Sequence, residues 1–193
     1  LDPKLRESMR FEIKKLQRQF GFTIIFVTHD QSEAMALSER MLVMDMGKIV
    51  QIGTPTELYN KPNSRFVHKF LGQSTFTNVI VENGKAYAKG NMQQVLPVEV
   101  PAGADREMTV ATRPNQIDIN TESGYESVVE KRIFLTDYTE YHVRVGDDLL
   151  QVQTPHRVEF SEGDKCFLRF PNVMWYPVED EAAEAERNRR QLV

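Results

Sequence analysis

The stretch Gly21 to Ala34, read as Gly-Phe-Thr-Ile-Ile-Phe-Val-Thr-His-Asp-Gln-Ser-Glu-Ala, constrains the fold more than any other part of the chain. Thr23 to Val27 is a continuous run of β-branched and aromatic residues without polar alternation, the pattern of a parallel strand buried on both faces. The run ends at Thr28-His29-Asp30. In an open α/β sheet the carboxyl ends of parallel strands face the ligand crevice, so His29 is placed where a substrate would sit. Taken alone, a histidine there also reads as a polar cap on a strand end. Its context favours a functional group: a helix opens directly behind it at Asp30-Gln-Ser-Glu-Ala34, and Leu1-Asp2 lies one helix upstream.

Upstream, Asp2 can cap a helix whose first position is Pro3. Leu5, Met9, Ile13, Leu16 and Phe20 then form one apolar stripe on an otherwise charged helix, and Gly21 closes it. A striped helix followed by a buried strand is half of a βαβ unit, whose first strand is expected before residue 1. Downstream, Ser32 to Leu37 continues as a short helix, and Arg40 to Asp45 reads as a strand that turns at Met46-Gly47-Lys48 into Ile49 to Ile52. Thr54-Pro55-Thr56-Glu57 is a capping box with proline at the first helical position. Ser64 starts a further helix, carrying Phe66, Val67, Phe70 and Leu71, in which His68 beside Lys69 reads as a solvated surface residue.

From Gln73 the period changes from helical to two. Alternating segments recur at Thr77 to Val81, Lys85 to Lys89, Gln94 to Val100, Met108 to Thr112, Val128 to Leu135, Glu140 to Val145, Leu149 to Gln153, Lys165 to Phe170 and Val173 to Pro177. Turn signals such as Asn83-Gly84 and Gly146-Asp147 separate them. Many short strands with regular breaks predict a small all-β barrel or sandwich, with a domain boundary near residue 73. The last stretch, Glu179 to Arg190, reads as a frayed tail or an exposed helix.

Composition excludes several classes of function. With 40% apolar and 27% charged residues the chain is globular, and at 193 residues it can bury two modest cores. A net charge of −4 argues against a general nucleic-acid or anionic-membrane surface. The lone cysteine, Cys166, excludes an internal disulfide and a Cys-rich metal site, fits a reducing compartment, and sits in a strand pattern that packs its thiol. No apolar run reaches the length of a membrane span and no signal-peptide pattern is present, so a membrane connection is expected to run through a partner. His142 and His156 have no carboxylate or thiol at ligand spacing, and no metal site is predicted.

These residues together resemble a known family. Residues 1 to 72 resemble the last third of an ABC transporter ATPase domain: Leu1-Asp2 matches its D-loop, His29 its switch histidine, and Gly53-Thr-Pro-Thr-Glu-Leu-Tyr59 with Arg65-Phe-Val67 the segments typical of importer subunits. Residues 73 to 193 resemble the family's transport-associated OB module, the TOBE domain. Val110-Ala-Thr-Arg113-Pro114 followed by Ile117 is similar to that module's recurrent Arg-Pro-Glu segment, with Asn115 where glutamate is usual. The resemblance implies an α/β fragment, part of a P-loop NTPase, followed by an all-β OB-like barrel. It implies that His29 contacts the γ-phosphate and helps hold the attacking water, and that Asp2 mediates contact across a homodimer of ATPase subunits. The β domain would support dimerisation or regulation. ATP and Mg would serve the complete subunit, and membrane permease subunits would be its partners. The expected location is cytoplasmic, at the inner face of the plasma membrane through the permease, without nucleic acid and without direct membrane insertion.

Other family parts do not occur in these residues. There is no Gly-x-x-x-x-Gly-Lys-Ser/Thr loop, no Leu-Ser-Gly-Gly-Gln signature and no acidic pair ending a strand before Leu1. Those groups bind nucleotide and stabilise charge in phosphoryl transfer, so the chain alone is expected neither to hydrolyse ATP nor to hold it tightly. A non-catalytic regulatory or oligomerisation module, binding a small anion in its β domain, is the alternative. His29 and Asp2 suit descent from a working ATPase; the lack of the phosphate loop suits non-catalytic use. A strand and a helix stripe without their sheet further predict that residues 1 to 72 are poorly ordered or self-associated, while the β domain folds on its own.

Overall fold

The computed structural model describes residues 3–178, so Asp2 and the acidic-then-basic stretch from 179 lie outside the described residues. The chain divides into two compact units, Leu1–Gly72 and Gln73–Val193.

The first unit opens with α1 (Pro3–Phe20), followed by α2 (Gln31–Leu37), the hairpin strands β1 (Met41–Asp45) and β2 (Lys48–Gly53), α3 (Pro55–Asn60) and α4 (Arg65–Phe70). The hairpin turns at Met46 and Gly47 with φ of 49° and 75°, the two positive values that a two-residue turn matched to strand twist requires. The capping box at α3 is formed in full: Thr54 Oγ1 accepts from the Glu57 amide, and the Glu57 carboxylate accepts from the Thr54 amide at 2.8 Å. Met41, Val43, Leu58, Val67 and Leu71 make a small core beneath the hairpin.

Two expectations for this unit fail. Residues 22–28 form no strand: Ile25 and Val27 are 89% and 90% exposed, and no described strand runs beside them. A run of this composition becomes a strand only when a neighbour accepts its ladder of hydrogen bonds, and a parallel neighbour must come from a distant part of a chain. His68 is not a solvated surface residue but is 3% exposed. It lies three residues before the buried Leu71, on the same face of a short helix, so the inward stripe includes it. The α1 stripe of Leu5, Met9, Ile13, Leu16 and Phe20 is formed but stays exposed.

The second unit is all-β. Its strands are β3 (Thr75–Glu82), β4 (Lys85–Ala88), β5 (Val95–Leu96), β6 (Glu107–Thr112), β7 (Asp118–Asn120), β8 (Tyr125–Phe134), β9 (Thr139–Val145), β10 (Asp148–Thr154), β11 (Lys165–Arg169) and β12 (Met174–Pro177). They build two five-stranded antiparallel sheets, ordered β12-β6-β3-β4-β5 and β10-β9-β8-β11-β7. Alternation decides which residues meet between them: Val79, Val110 and Leu96 from one sheet share a core with Tyr141, Val143, Leu150 and Leu168 from the other. The arrangement is the OB-like architecture that the spacing of short strands implies. Within Gln94 to Val100 only Val95–Leu96 pairs, because Pro97 has no amide to continue the ladder.

The hairpin tips clasp the two sheets together. The Asp147 amide donates to the Lys89 carbonyl at 2.7 Å, and the Asn78 amide donates to the Asp148 carboxylate at 2.7 Å. The buried Tyr125 hydroxyl accepts from Asn91 Nδ2 at 2.9 Å and from the Gly146 amide at 3.2 Å.

Candidate functional site

The exposed histidine at the end of the apolar run lies in a segment fixed on both sides. Asp30 caps α2, its Oδ1 accepting from the Glu33 amide at 3.0 Å. Thr28 Oγ1 accepts from the Asp30 amide at 3.0 Å and donates to Glu33 Oε2 at 3.2 Å. The other carboxylate oxygen of Glu33 receives Arg10 Nη2 of α1 at 3.0 Å, in a pair whose side chains are only 22% and 16% exposed. Lys14 of α1 adds a donor to the Ala36 carbonyl at 3.1 Å. α1 and α2 are thus joined through polar groups that converge around residues 28–30.

Between these clamped neighbours, His29 is exposed, and among the described residues its imidazole makes no hydrogen bond or ion pair. A ring so placed has both nitrogens available to an external acceptor or donor. It fits the oxygen of a phosphate, or a water held against one. The phosphate-cradling amides of a glycine-rich loop have no counterpart in these residues. Glu33 and Arg10 escape sequence reading as site-supporting residues. Glu33 stands at the third helical position behind an Asp cap, a recognisable capping position, but Arg10 is 23 residues away and nothing local announces it.

In the β unit, the Arg113-Pro114 segment takes a structural role. Arg113 is 3% exposed and donates from Nη1 to the Gln73 carbonyl at 3.1 Å and to Ser74 Oγ at 2.9 Å, tying down the first residues of the domain. Pro114 opens the 3-10 turn Pro114–Gln116 and is buried. Nearby, burial pushes the Tyr176 hydroxyl up to about 12, with the Arg113 charge opposing.

The two histidines of this unit have definite partners, which sequence spacing did not disclose. His142 Nε2 lies 2.9 Å from Glu140 Oε1, because residues two apart share a strand face, and Glu140 also accepts from Gln153 at 3.2 Å. His156 donates from Nε2 to the Thr136 carbonyl, which sets Nδ1 against Thr139 Oγ1 at 3.1 Å, and stacks on Phe134 at 4.4 Å between centroids. Among the described residues no three of His, Cys, Asp or Glu gather as a metal ion would need. Cys166 is fully buried and its thiol is raised to about 11, chiefly by burial and then by Asp164. No described helix is long and apolar enough to cross a membrane.

Residues 110–175 match the TOBE domain family. The class of protein that the chain resembles is that of the ATP-binding subunits of ABC transporters. The curated relatives narrow this to import subunits. The chain is 37% identical over 183 residues to a spermidine/putrescine import ATP-binding protein of Pseudomonas fluorescens, a match covering 88% of this chain and 49% of the relative. It is 39% identical over 181 residues to an sn-glycerol-3-phosphate import ATP-binding protein of Salmonella choleraesuis, covering 89% and 50%. Over most of its length the chain is similar to ABC importer ATP-binding subunits, and its β unit carries the TOBE domain match. It spans about half the length of the curated relatives it matches.

Proposed function

We propose that this chain is part of the ATP-binding subunit of a bacterial importer that couples ATP hydrolysis to solute uptake. The observation that carries the reading is the exposed His29 imidazole, free of internal hydrogen bonds among the described residues and flanked by the hydrogen-bonded Thr28 and Asp30. In the complete subunit, with ATP and Mg bound, His29 donates to a γ-phosphate oxygen and helps orient the attacking water. Asp2 makes contact across a homodimer of ATPase subunits. Residues 1–72 act as the final third of the ATPase domain and 73–193 as the TOBE domain. The permease subunits hold the assembly at the inner face of the plasma membrane. The phosphate loop and signature segment come from outside these 193 residues, so the chain alone neither turns ATP over nor holds it tightly.

The test uses the complete subunit. His29→Ala lowers kcat for ATP hydrolysis by roughly a hundredfold or more while ATP affinity stays within about twofold, as for a group acting on the transition state. An unchanged hydrolysis rate would overturn the assignment.

A further inference from the structure

We propose that Glu33 is a positioning residue for His29, holding the imidazole in register through the Thr28 hydroxyl and linking it to α1 through Arg10. The proposal rests on the reading of His29 given above. Since His29 makes no hydrogen bond of its own among the described residues, its direction depends on the backbone to either side. That backbone is held by Thr28 Oγ1, which accepts from the Asp30 amide at 3.0 Å. A hydroxyl has one proton, and here it goes to Glu33 Oε2 at 3.2 Å, so the carboxylate orients the hydroxyl whose lone pair restrains Asp30. The Glu33 amide in turn donates to Asp30 Oδ1 at 3.0 Å, closing a ring of contacts around residue 29.

The second oxygen of Glu33 carries the connection outward. It receives Arg10 Nη2 at 3.0 Å, with both side chains largely out of solvent, where a charge-assisted bond is least screened. A carboxylate presents an oxygen to each donor at once, whereas an amide in its place would turn its NH2 toward one of them. Glu33, whose amide is held by the Asp30 cap, is therefore also the bridge from α1 to the loop bearing the imidazole. Displacing a group that acts on the reacting phosphate by a fraction of an ångström to one ångström lowers turnover by about tenfold to a hundredfold.

Two measurements test this. In the nucleotide-free chain, Glu33→Ala raises the hydrogen-exchange rate of the Asp30 amide at least tenfold, since its acceptor is no longer held; unchanged exchange overturns the proposal. In the complete subunit, Glu33→Ala lowers kcat by about tenfold to a hundredfold with KM for ATP within about twofold, and causes no further loss when His29→Ala is already present. Equal losses in both backgrounds show a merely structural role and overturn the proposal. A normal kcat in Glu33→Ala beside a defective His29→Ala overturns it while leaving the His29 reading intact. A normal rate in His29→Ala overturns both. Should Glu33→Ala not fold, Thr28→Val removes the hydroxyl at nearly constant shape and is judged by the same outcomes.

Discussion

Replacing Gly146 by alanine tests how the two sheets of the β unit are joined. Gly146 has φ of +60°, and a Cβ built there would lie 2.0 Å from the Lys89 carbonyl oxygen and 2.9 Å from Ala88 Cβ. The left-handed backbone alone costs alanine about 1–2 kcal/mol. The clash is with main chain, which cannot swing aside, so the two hairpin tips must part. That strains or breaks the Asp147-to-Lys89 bond of 2.7 Å and the Gly146-to-Tyr125 bond of 3.2 Å, at about 1 kcal/mol each. The total is about 3–4 kcal/mol, or a fall in Tm of roughly 10–20 °C for a unit of about a hundred residues. Trp175 is the chain's one tryptophan and packs against this core, so its fluorescence reports the unfolding of this unit. Gly84 is the control: its φ is +72°, but nothing lies within 4 Å of its Cβ position, so Gly84→Ala should cost only the backbone share. Equal stabilities for the two variants would refute the role assigned to the close approach.

Leu58→Ala removes a fully buried side chain from a small core, and a loss of about 2–5 kcal/mol should open residues 1–72 to limited proteolysis while the Trp175 transition stays in place. The Glu57 carboxyl is held below its ordinary 4.5, first by the Thr54 amide and then by the Thr54 hydroxyl. Its contribution is therefore present above pH 4.5 and is lost as pH falls through the lowered value; an acid titration followed at the Thr54 amide resonance should show this, and Glu57→Gln should flatten it. With its thiol at about 11 and no exposed surface, Cys166 should resist a thiol reagent at pH 8 in the folded chain and react on unfolding; rapid labelling of the native chain would contradict that packing.

What could be read in the sequence was what local chemistry decides. Asn83-Gly84 and Met46-Gly47 specify two-residue turns because their backbones need positive φ, and both occur there at 52°, 72°, 49° and 75°. The Thr54-to-Glu57 capping box is likewise complete within four residues. The alternating segments after Gln73 were legible because a sheet with one buried face shows its period directly. Features that depend on distant partners were not. The Thr23 to Val27 run has strand composition but no ladder, and burial of His68 depends on which face of a six-residue helix the hairpin covers. The three-residue strand Asp118–Asn120 is too short to display a period and exists because β11 pairs with it. Around His29, the histidine and its helix cap could be read, whereas the Arg10–Glu33 bridge spans 23 residues and could not.

We assign His29 to the terminal phosphate of a bound nucleotide. The most direct measurement follows the imidazole nitrogen resonances of His29 in the complete subunit, assigned by their loss in His29→Gln, as a non-hydrolysable ATP analogue or ADP is added with Mg. With His29 at the γ-phosphate, the analogue shifts these resonances while ADP, which lacks that phosphate, leaves them near their nucleotide-free positions. Identical shifts with both nucleotides, or none with either at saturation, would contradict the assignment.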